Sequence, residues 1–455
     1  MINIPFSLGI VHFIGIGGIG MSGIAEVMHG LGYNVRGSDI VDSMNTQRLK
    51  KLGIEVLIGQ SSQNVKNAGV VVVSTDIPEH NPEYQEALRL GIPLIKRAQM
   101  LGELMRWKYG ICVTGTHGKT TTTSMIATLL DVSRFDPTVI NGGIINSYGT
   151  NARLGEGEWM VVEADESDGS FIHLPSVLSV ITNIDLDHMT HYKTEENLIN
   201  AFENFLGKLP FWGTAIVYAD SSRTKEIISR IKSTQLQTYG FSENVNIRAI
   251  NVEVGSTGTR FDVQIKDGKL IEGLFLPMVG IHNVENALAV VGVAQTLKIP
   301  DLLLKQALSS FSGVKRRFTN VGNFQKAQVI DDYGHHPVEI SAVLKAARTI
   351  AKRNVIAVFQ PHRYSRFENL YEDFKKCFSD CDTLLVAPIY SAGENPIEGI
   401  SHEVFAKDIN HPNAIKIDSP QEVADFLNGK VSSDDLIVFL GAGSITHWAK
   451  ELADL

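Results

Sequence analysis

Three times along this chain of 455 residues an apolar, β-branched run breaks into a glycine-rich turn and then into a helical pattern. The segments are HFIGIGGIGMSGIAEVM from His12, ICVTGTHGKTTTTSMIATLL from Ile111, and LIVFLGAGSITHWAKEL from Leu436. A short apolar strand followed by an amphipathic helix is the unit of a parallel sheet covered on both faces, so the fold class is α/β and three such starts predict three sheets. At roughly 150 residues per domain, the length also suggests about three cores. The expected domains are residues 1–105, 106–312 and 313–455. Inside the second, NIRAINVEVGSTGTRFDVQIKDGKLIEGLFL alternates like a β-ribbon, which makes that domain mixed rather than purely βαβ.

Charge narrows the partners. Fifty acidic residues against 41 basic ones leave a formal charge of -9, which repels a nucleic-acid backbone, and no basic run offsets it locally. The apolar opening MINIPFSLGIVHFIGIGG has no lysine or arginine before Arg36, so it reads as the first strand rather than a secretory signal. No stretch approaches the roughly 20 apolar residues of a membrane helix. Of the three cysteines, Cys377 and Cys381 are expected four apart on one helix and Cys112 in a strand. That is too few for a disulfide framework or a zinc site, so reduced structural thiols and a cytoplasmic location are expected. A monomer or weak homodimer is the working expectation for assembly.

The first glycine turn fits G-x-G-x-x-G through Gly15, Gly17 and Gly20, with Gly18 and Gly23 besides. Residues without Cβ let backbone N–H groups approach a diphosphate while the following helix directs its positive end at the charge, although the same glycines would also serve a bare strand-to-helix turn. Asp39, closing the second strand, could accept from a ribose hydroxyl or simply anchor a turn. The second turn, Thr114-Gly115-Thr116-His117-Gly118-Lys119-Thr120, is more specific: it carries the Gly-Lys-Thr of a phosphate-binding loop, in which lysine reaches the terminal phosphates and the hydroxyl holds magnesium. Val113 stands where the strict pattern wants its first glycine. Acidic clusters follow two later apolar runs, Glu163, Asp165, Glu166 and Asp168 in one, and Asp185, Asp187 and His188 in the other. Glu163, nearest its strand, is the best placed to be held rigidly as a metal ligand.

Taken together, TGTHGKTT, EADESD, NIDLDH, HNVENALA, DDYGHHP and QPHRYSRF resemble the Mur ligase family, in the same order and over essentially the whole chain. The resemblance implies a Rossmann-like first domain holding a UDP-sugar, a central P-loop ATPase-like domain holding ATP, and a Rossmann-like third domain that closes over both with the incoming amino acid. It implies that Gly15, Gly17, Gly18, Gly20, Met21, Ser22 and Asp39 meet the sugar nucleotide. Gly115, Thr116, His117, Gly118, Lys119, Thr120 and Thr121, with Asn283, Asn286 and Arg317, would meet ATP. Thr120, Glu163 and His188 would hold magnesium or manganese. Tyr333, His335, Arg363 and Arg366, beside Asp332 and His336, would line the reacting end of the substrate. An arginine pair three apart at a helix start shares a face and can grip anionic oxygens. Later-acting members carry a carbamylated lysine near the second metal; neither Lys193 nor Lys208 fits that place, which agrees with the branch that adds L-alanine to UDP-N-acetylmuramate.

The expected chemistry is phosphorylation of a carboxylate by ATP and capture of the acyl phosphate by an amine, with Lys119, His188 and Arg317 around the transferring group and Asp332 or His335 at the amine. Three competing readings remain: a recycling ligase adding a preformed peptide, a nicotinamide-dependent oxidoreductase resting on the first glycine turn and Asp39, and a nucleotide-binding module without catalysis.

Overall fold

The computed structural model describes residues 8–231 and 235–455; residues 1–7 of the apolar opening read as a first strand lie outside them. The strand itself runs Ile10–Ile14. It is central in a parallel five-stranded sheet whose order is Glu55–Ile58, Asn34–Asp39, Ile10–Ile14, Ala68–Val73, Leu94–Lys96. Val11 and Phe13 point to one face and Ile14 to the other, and all three are fully buried, the mark of a strand covered on both sides.

The second sheet has ten strands. Tyr109–Thr114 lies between Leu178–Ile181 and Trp159–Glu163, and the sheet continues through Thr214–Tyr218 and Gln235–Gly240 to the ribbon Ile247–Gly255, Gly258–Ile265 and Leu270–Leu276. The mixed character anticipated from the alternation is present, since Thr138–Ile145 and Thr150–Arg153 also pair antiparallel at the opposite edge. The third sheet is ordered Thr319–Phe324, Ala327–Asp332, Leu436–Leu440, Val355–Phe359, Thr383–Val386, Ala414–Lys416, parallel except for its first strand.

Contacts group these sheets into two compact units. One holds the described residues up to 251 with Phe261–Phe275 and Glu285–Gly313; the other holds Val252–Arg260, Leu276–Val284 and Val314–Leu455. In the first unit a single apolar core runs from Val11, Ile24 and Met28 of the first sheet layer to Ile140, Ala152, Met160 and Phe202 around the second. Gly23, counted with the glycine turn in the sequence, sits inside the helix Ile19–Gly30, and its role is packing: an added Cβ would lie 3.2 Å from the Ala152 Cβ. One on Gly30 would lie 2.8 Å from Leu154, so the missing side chains let this helix lie directly on the second sheet's edge. In the second unit the third sheet has a core on each face, one built around Phe359, Phe367, Phe374, Phe378 and Phe405.

Cys377 and Cys381 are not on one helix as expected. The helix ends at Phe374, Cys377 lies in the turns after it and Cys381 just beyond them, and each thiol donates to a carbonyl three residues back. All three cysteines are buried and unpaired by disulfides. Among the described residues no helix is long and apolar enough to cross a membrane.

Candidate active site

The strand Tyr109–Thr114 delivers the Gly-Lys-Thr loop to the carboxyl edge of the second sheet, and the helix Lys119–Val132 begins at its lysine. Gly115 has φ +126° and Gly118 φ +82°, backbone that a side chain strains. Space is short as well: a Cβ on Gly115 would sit 2.3 Å from Thr182 Oγ1, and one on Gly118 2.4 Å from Asn286 Oδ1. The loop is stapled to the neighbouring strand end. The His117 N–H donates to Asn183 Oδ1 (2.8 Å), the Thr182 hydroxyl donates to the His117 carbonyl (2.6 Å), and the Asp185 N–H donates to Thr116 Oγ1 (2.8 Å). Thr120 and Thr121 are buried in the first helical turn, and Thr122 donates to Asn286 Oδ1 at 3.1 Å.

Lys119 Nζ donates to the carbonyls of Gly115 (2.6 Å) and Thr116 (3.0 Å) and pairs with Glu166, 2.8 Å from Oε2. The Glu166 side chain is 2% exposed. Burial pushes its carboxyl up to about 7 despite the opposing pull of Lys119. Burial also draws the lysine down, but Glu166, Glu163 and Asp165 outweigh it, and Lys119 stays a cation above its ordinary range. The partner of Lys119 is therefore the third acid of EADESD, 47 residues away, which the sequence reading left among several undifferentiated carboxylates.

The other acids have separate tasks. Glu163 accepts the Gly142 N–H at 2.8 Å, Asp168 accepts the Ser170 N–H at 2.9 Å, and Asp165 faces Arg97 at 3.4 Å. His188 has left-handed backbone (φ 57°), and its Nε2 lies 3.5 Å from Asp187 and 3.7 Å from Glu166. No group of three or more His, Cys, Asp or Glu side chains among the described residues forms a ready metal cage. The hydroxyl of Thr120 and the carboxylate of Glu163 are nonetheless hard oxygen donors, the type magnesium takes when phosphate oxygens and water complete its shell.

At the first glycine turn the N–H groups of Gly15 and Ile16 donate to the Ser38 carbonyl (2.8 and 2.9 Å). The Asp39 carboxylate accepts the N–H of Gly17 at 2.8 Å and of Val41 at 3.1 Å, which anchors the turn and leaves acceptor capacity on both oxygens. Gly18 forms the helix N-cap without a side-chain cap, and no acid occupies the first turn. Met21 and Ser22 turn their side chains into the core, which leaves only their backbone to face a ligand. Gly20 lies against Arg97, whose Cδ and Nη1 would each be 3.2 Å from an added Cβ. Arg97 was missed in the sequence because nothing local marks it.

In the second unit Asp332 ends its strand buried, accepting the N–H groups of Phe318 and Gly334, both at 2.7 Å, and burial pushes its carboxyl up to about 6. Arg317 lies over the Tyr333 ring at 5.3 Å and 4.0 Å from Glu339. His335 Nδ1 is 3.2 Å from the Tyr333 carbonyl and 3.5 Å from Glu339; burial above all drives its pKa down to about 3, so the imidazole is neutral. His336 instead caps the helix Pro337–Ile350, its Nδ1 accepting the Val338 N–H. Arg363 and Arg366 do not share a regular helical face as expected: Arg363 is the N-cap with φ 66°, 3.9 Å from Glu394, and only Arg366 lies within the helix Tyr364–Asn369. His362, not singled out in QPHRYSRF, stacks on Tyr390 (5.5 Å) and faces His335 (5.8 Å); its burial and the two arginines hold it neutral, down to about 4. Asn283 donates to the Val279 carbonyl at 2.9 Å. The third glycine turn is satisfied internally, with the Ile445 N–H donating to Gln360 and Arg316 donating to the Gly441 carbonyl.

Comparison with known proteins covers nearly the whole chain. Residues 10–109 match the Mur ligase family, catalytic domain, 113–294 the Mur ligase middle domain, and 316–443 the Mur ligase, glutamate ligase domain. The chain is 50% identical to UDP-N-acetylmuramate--L-alanine ligase of Mesorhizobium japonicum, over 99% of each chain. It is 51% identical to the protein of that name from Agrobacterium fabrum, over 99% of this chain and 97% of that one. Among solved structures, UDP-N-acetylmuramate-alanine ligase MurC from Thermotoga maritima superposes with a TM-score of 0.83 at 29% identity, covering 98% of both chains. With the three domains of the family matched in succession from residue 10 to residue 443, the chain belongs to the Mur ligase family.

Proposed function

We propose that this protein uses ATP to join L-alanine to the lactyl carboxylate of UDP-N-acetylmuramate, forming ADP and phosphate, as a cytoplasmic step of peptidoglycan synthesis. The observation that carries the reading is identity of about 50% over 99% of the chain to ligases of that activity. We assign sugar nucleotide, ATP and amino acid mainly to residues 1–105, 106–312 and 313–455.

A carboxylate and an amine in water form a salt, because the carboxylate is a poor electrophile without a leaving group. Transfer of the terminal phosphoryl group of ATP to the carboxylate oxygen supplies that leaving group, and ADP departs. Lys119, released from Glu166 toward the phosphates, and the loop N–H groups offset the growing charge, with Arg317 as a further cation. Thr120, Glu163 and His188 would hold magnesium, which supplies charge neutralisation on the phosphates. The amine attacks the acyl carbon, phosphate leaves, and the amine proton passes to a base. Neutral His335 orients the amine by accepting a hydrogen bond; Asp332, pinned by two N–H donors, holds the loop that presents it.

The test is ADP release from purified protein with ATP, magnesium and UDP-N-acetylmuramate. L-Alanine should stimulate release strongly and preformed peptide weakly. Release that ignores amino acids, or preference for the peptide, would overturn the proposal.

A further inference from the structure

The two glycine turns of the first unit serve different anions, the sugar nucleotide and ATP, in the function proposed above. Arg97 lies close to both. The aliphatic part and Nη1 of Arg97 lie against Gly20, in the first turn of the helix that follows the first glycine loop. Its Nη2 reaches 3.4 Å to Asp165, in the acidic segment whose next residue pairs with Lys119. Arg97 thus contacts the helix that follows the first glycine turn and the acidic segment whose Glu166 pairs with the lysine of the second. A guanidinium has five N–H donors, and the long contact to Asp165 is the one polar contact recorded for it among the described residues. Its side chain is 21% exposed, so part of it reaches solvent.

Arg97 also answers a charge problem. A substrate carrying diphosphate and carboxylate has to approach a sheet edge that presents Glu163, Asp165 and Glu166. At the first loop, the Gly17 N–H is already taken by Asp39. An arginine poised between the loops offsets that repulsion, and its fork suits paired oxygens.

We infer that Arg97 is a positioning residue that binds an anionic oxygen of the sugar nucleotide, on the diphosphate or on the lactyl carboxylate, between the two loops. This rests on the proposed function and adds a residue to it. Asp165 stands in for the substrate anion in the unliganded protein and is displaced when the sugar nucleotide arrives.

The experiment uses the full chain as wild type, Arg97→Gln, Arg97→Lys and Asp165→Asn. Calorimetric titration measures binding of UDP-N-acetylmuramate and of UDP-N-acetylglucosamine, which lacks the lactyl carboxylate, and kinetics give KM for each substrate. Arg97→Gln is expected to weaken UDP-N-acetylmuramate binding and raise its KM about tenfold to a hundredfold, the loss typical of one hydrogen bond to a charged group. KM for ATP should stay within about threefold, and Arg97→Lys should recover part of the loss. Equal weakening of UDP-N-acetylglucosamine assigns Arg97 to the diphosphate; no weakening assigns it to the carboxylate. Asp165→Asn breaks the same ion pair from the other side, so it should leave sugar-nucleotide binding within about threefold if Arg97 acts on substrate. The inference is overturned if Arg97→Gln binds UDP-N-acetylmuramate like wild type, if it loses ATP equally, or if Asp165→Asn reproduces its defect. Failure of the wild-type protein to bind UDP-N-acetylmuramate would instead remove the underlying function.

Discussion

Lys119→Ala should damage this protein in two separable ways. The side chain is 14% exposed and its partner Glu166 is 2% exposed, so this is a buried ion pair. Removing the cation strands a buried carboxylate, which typically costs about 3–5 kcal/mol. Glu166 escapes part of that by taking a proton, because burial already holds its pKa near 7 and loss of Lys119 raises it further. In the variant, the protonated carboxyl favours the fold: stability is greatest below about pH 4.5, the ordinary glutamate value, and falls by up to about 1.4 kcal/mol per pH unit up to the raised pKa. Urea titrations followed by circular dichroism should therefore show a larger deficit at pH 8 than at pH 6. Adding Glu166→Gln removes the stranded charge, and the double variant should regain most of the stability at both pH values. It should not regain ADP formation, since loss of one preorganised donor to the transferring group typically costs 100-fold to 1,000-fold in rate. A Lys119→Ala protein equally stable at both pH values, or a double variant with restored ADP formation, would refute the reasoning.

Gly118→Ala should lose roughly 2–3 kcal/mol, summing about 1–2 for a side chain at φ +82° and about 1 for the Thr122 hydrogen bond broken when Asn286 moves away from the new Cβ; unchanged melting would contradict it. Glu285, raised to about 7 chiefly by burial, favours the fold as its neutral acid, so as pH climbs from 4.5 through 7 the wild type should lose about 3 kcal/mol more than Glu285→Gln does; parallel curves would show the group is not perturbed. His335, pushed down to about 3, should give no imidazole titration by NMR between pH 5 and 8, and an inflection near 6.5 would place its ring in water.

The parts legible in the sequence were those whose cause is local. A strand, a Gly-Lys-Thr turn and a helix follow one another between Tyr109 and Val132, and their periodicity changes at the glycines. The three sheets and the antiparallel ribbon could be read for the same reason. What escaped depends on groups distant along the chain. Glu166 was one carboxylate among four until folding set it against Lys119. Arg97 carries no motif. The bond from the Gly17 N–H to Asp39 joins residues 22 apart and has no local mark. Gly23 passed for a loop glycine because its meaning is a neighbour, Ala152, on another sheet. The cysteine pair was misplaced because a helical spacing of four also fits successive turns.

The shared core of the first unit bears on how this chain can be taken apart. A fragment stopping near residue 105 would present the glycine-smoothed side of Ile19–Gly30 to water in place of Thr138–Ile145 and Thr150–Arg153, inviting self-association. Gene shuffling among relatives should therefore move both layers together as one cassette, because a crossover between them would mate surfaces shaped in different lineages.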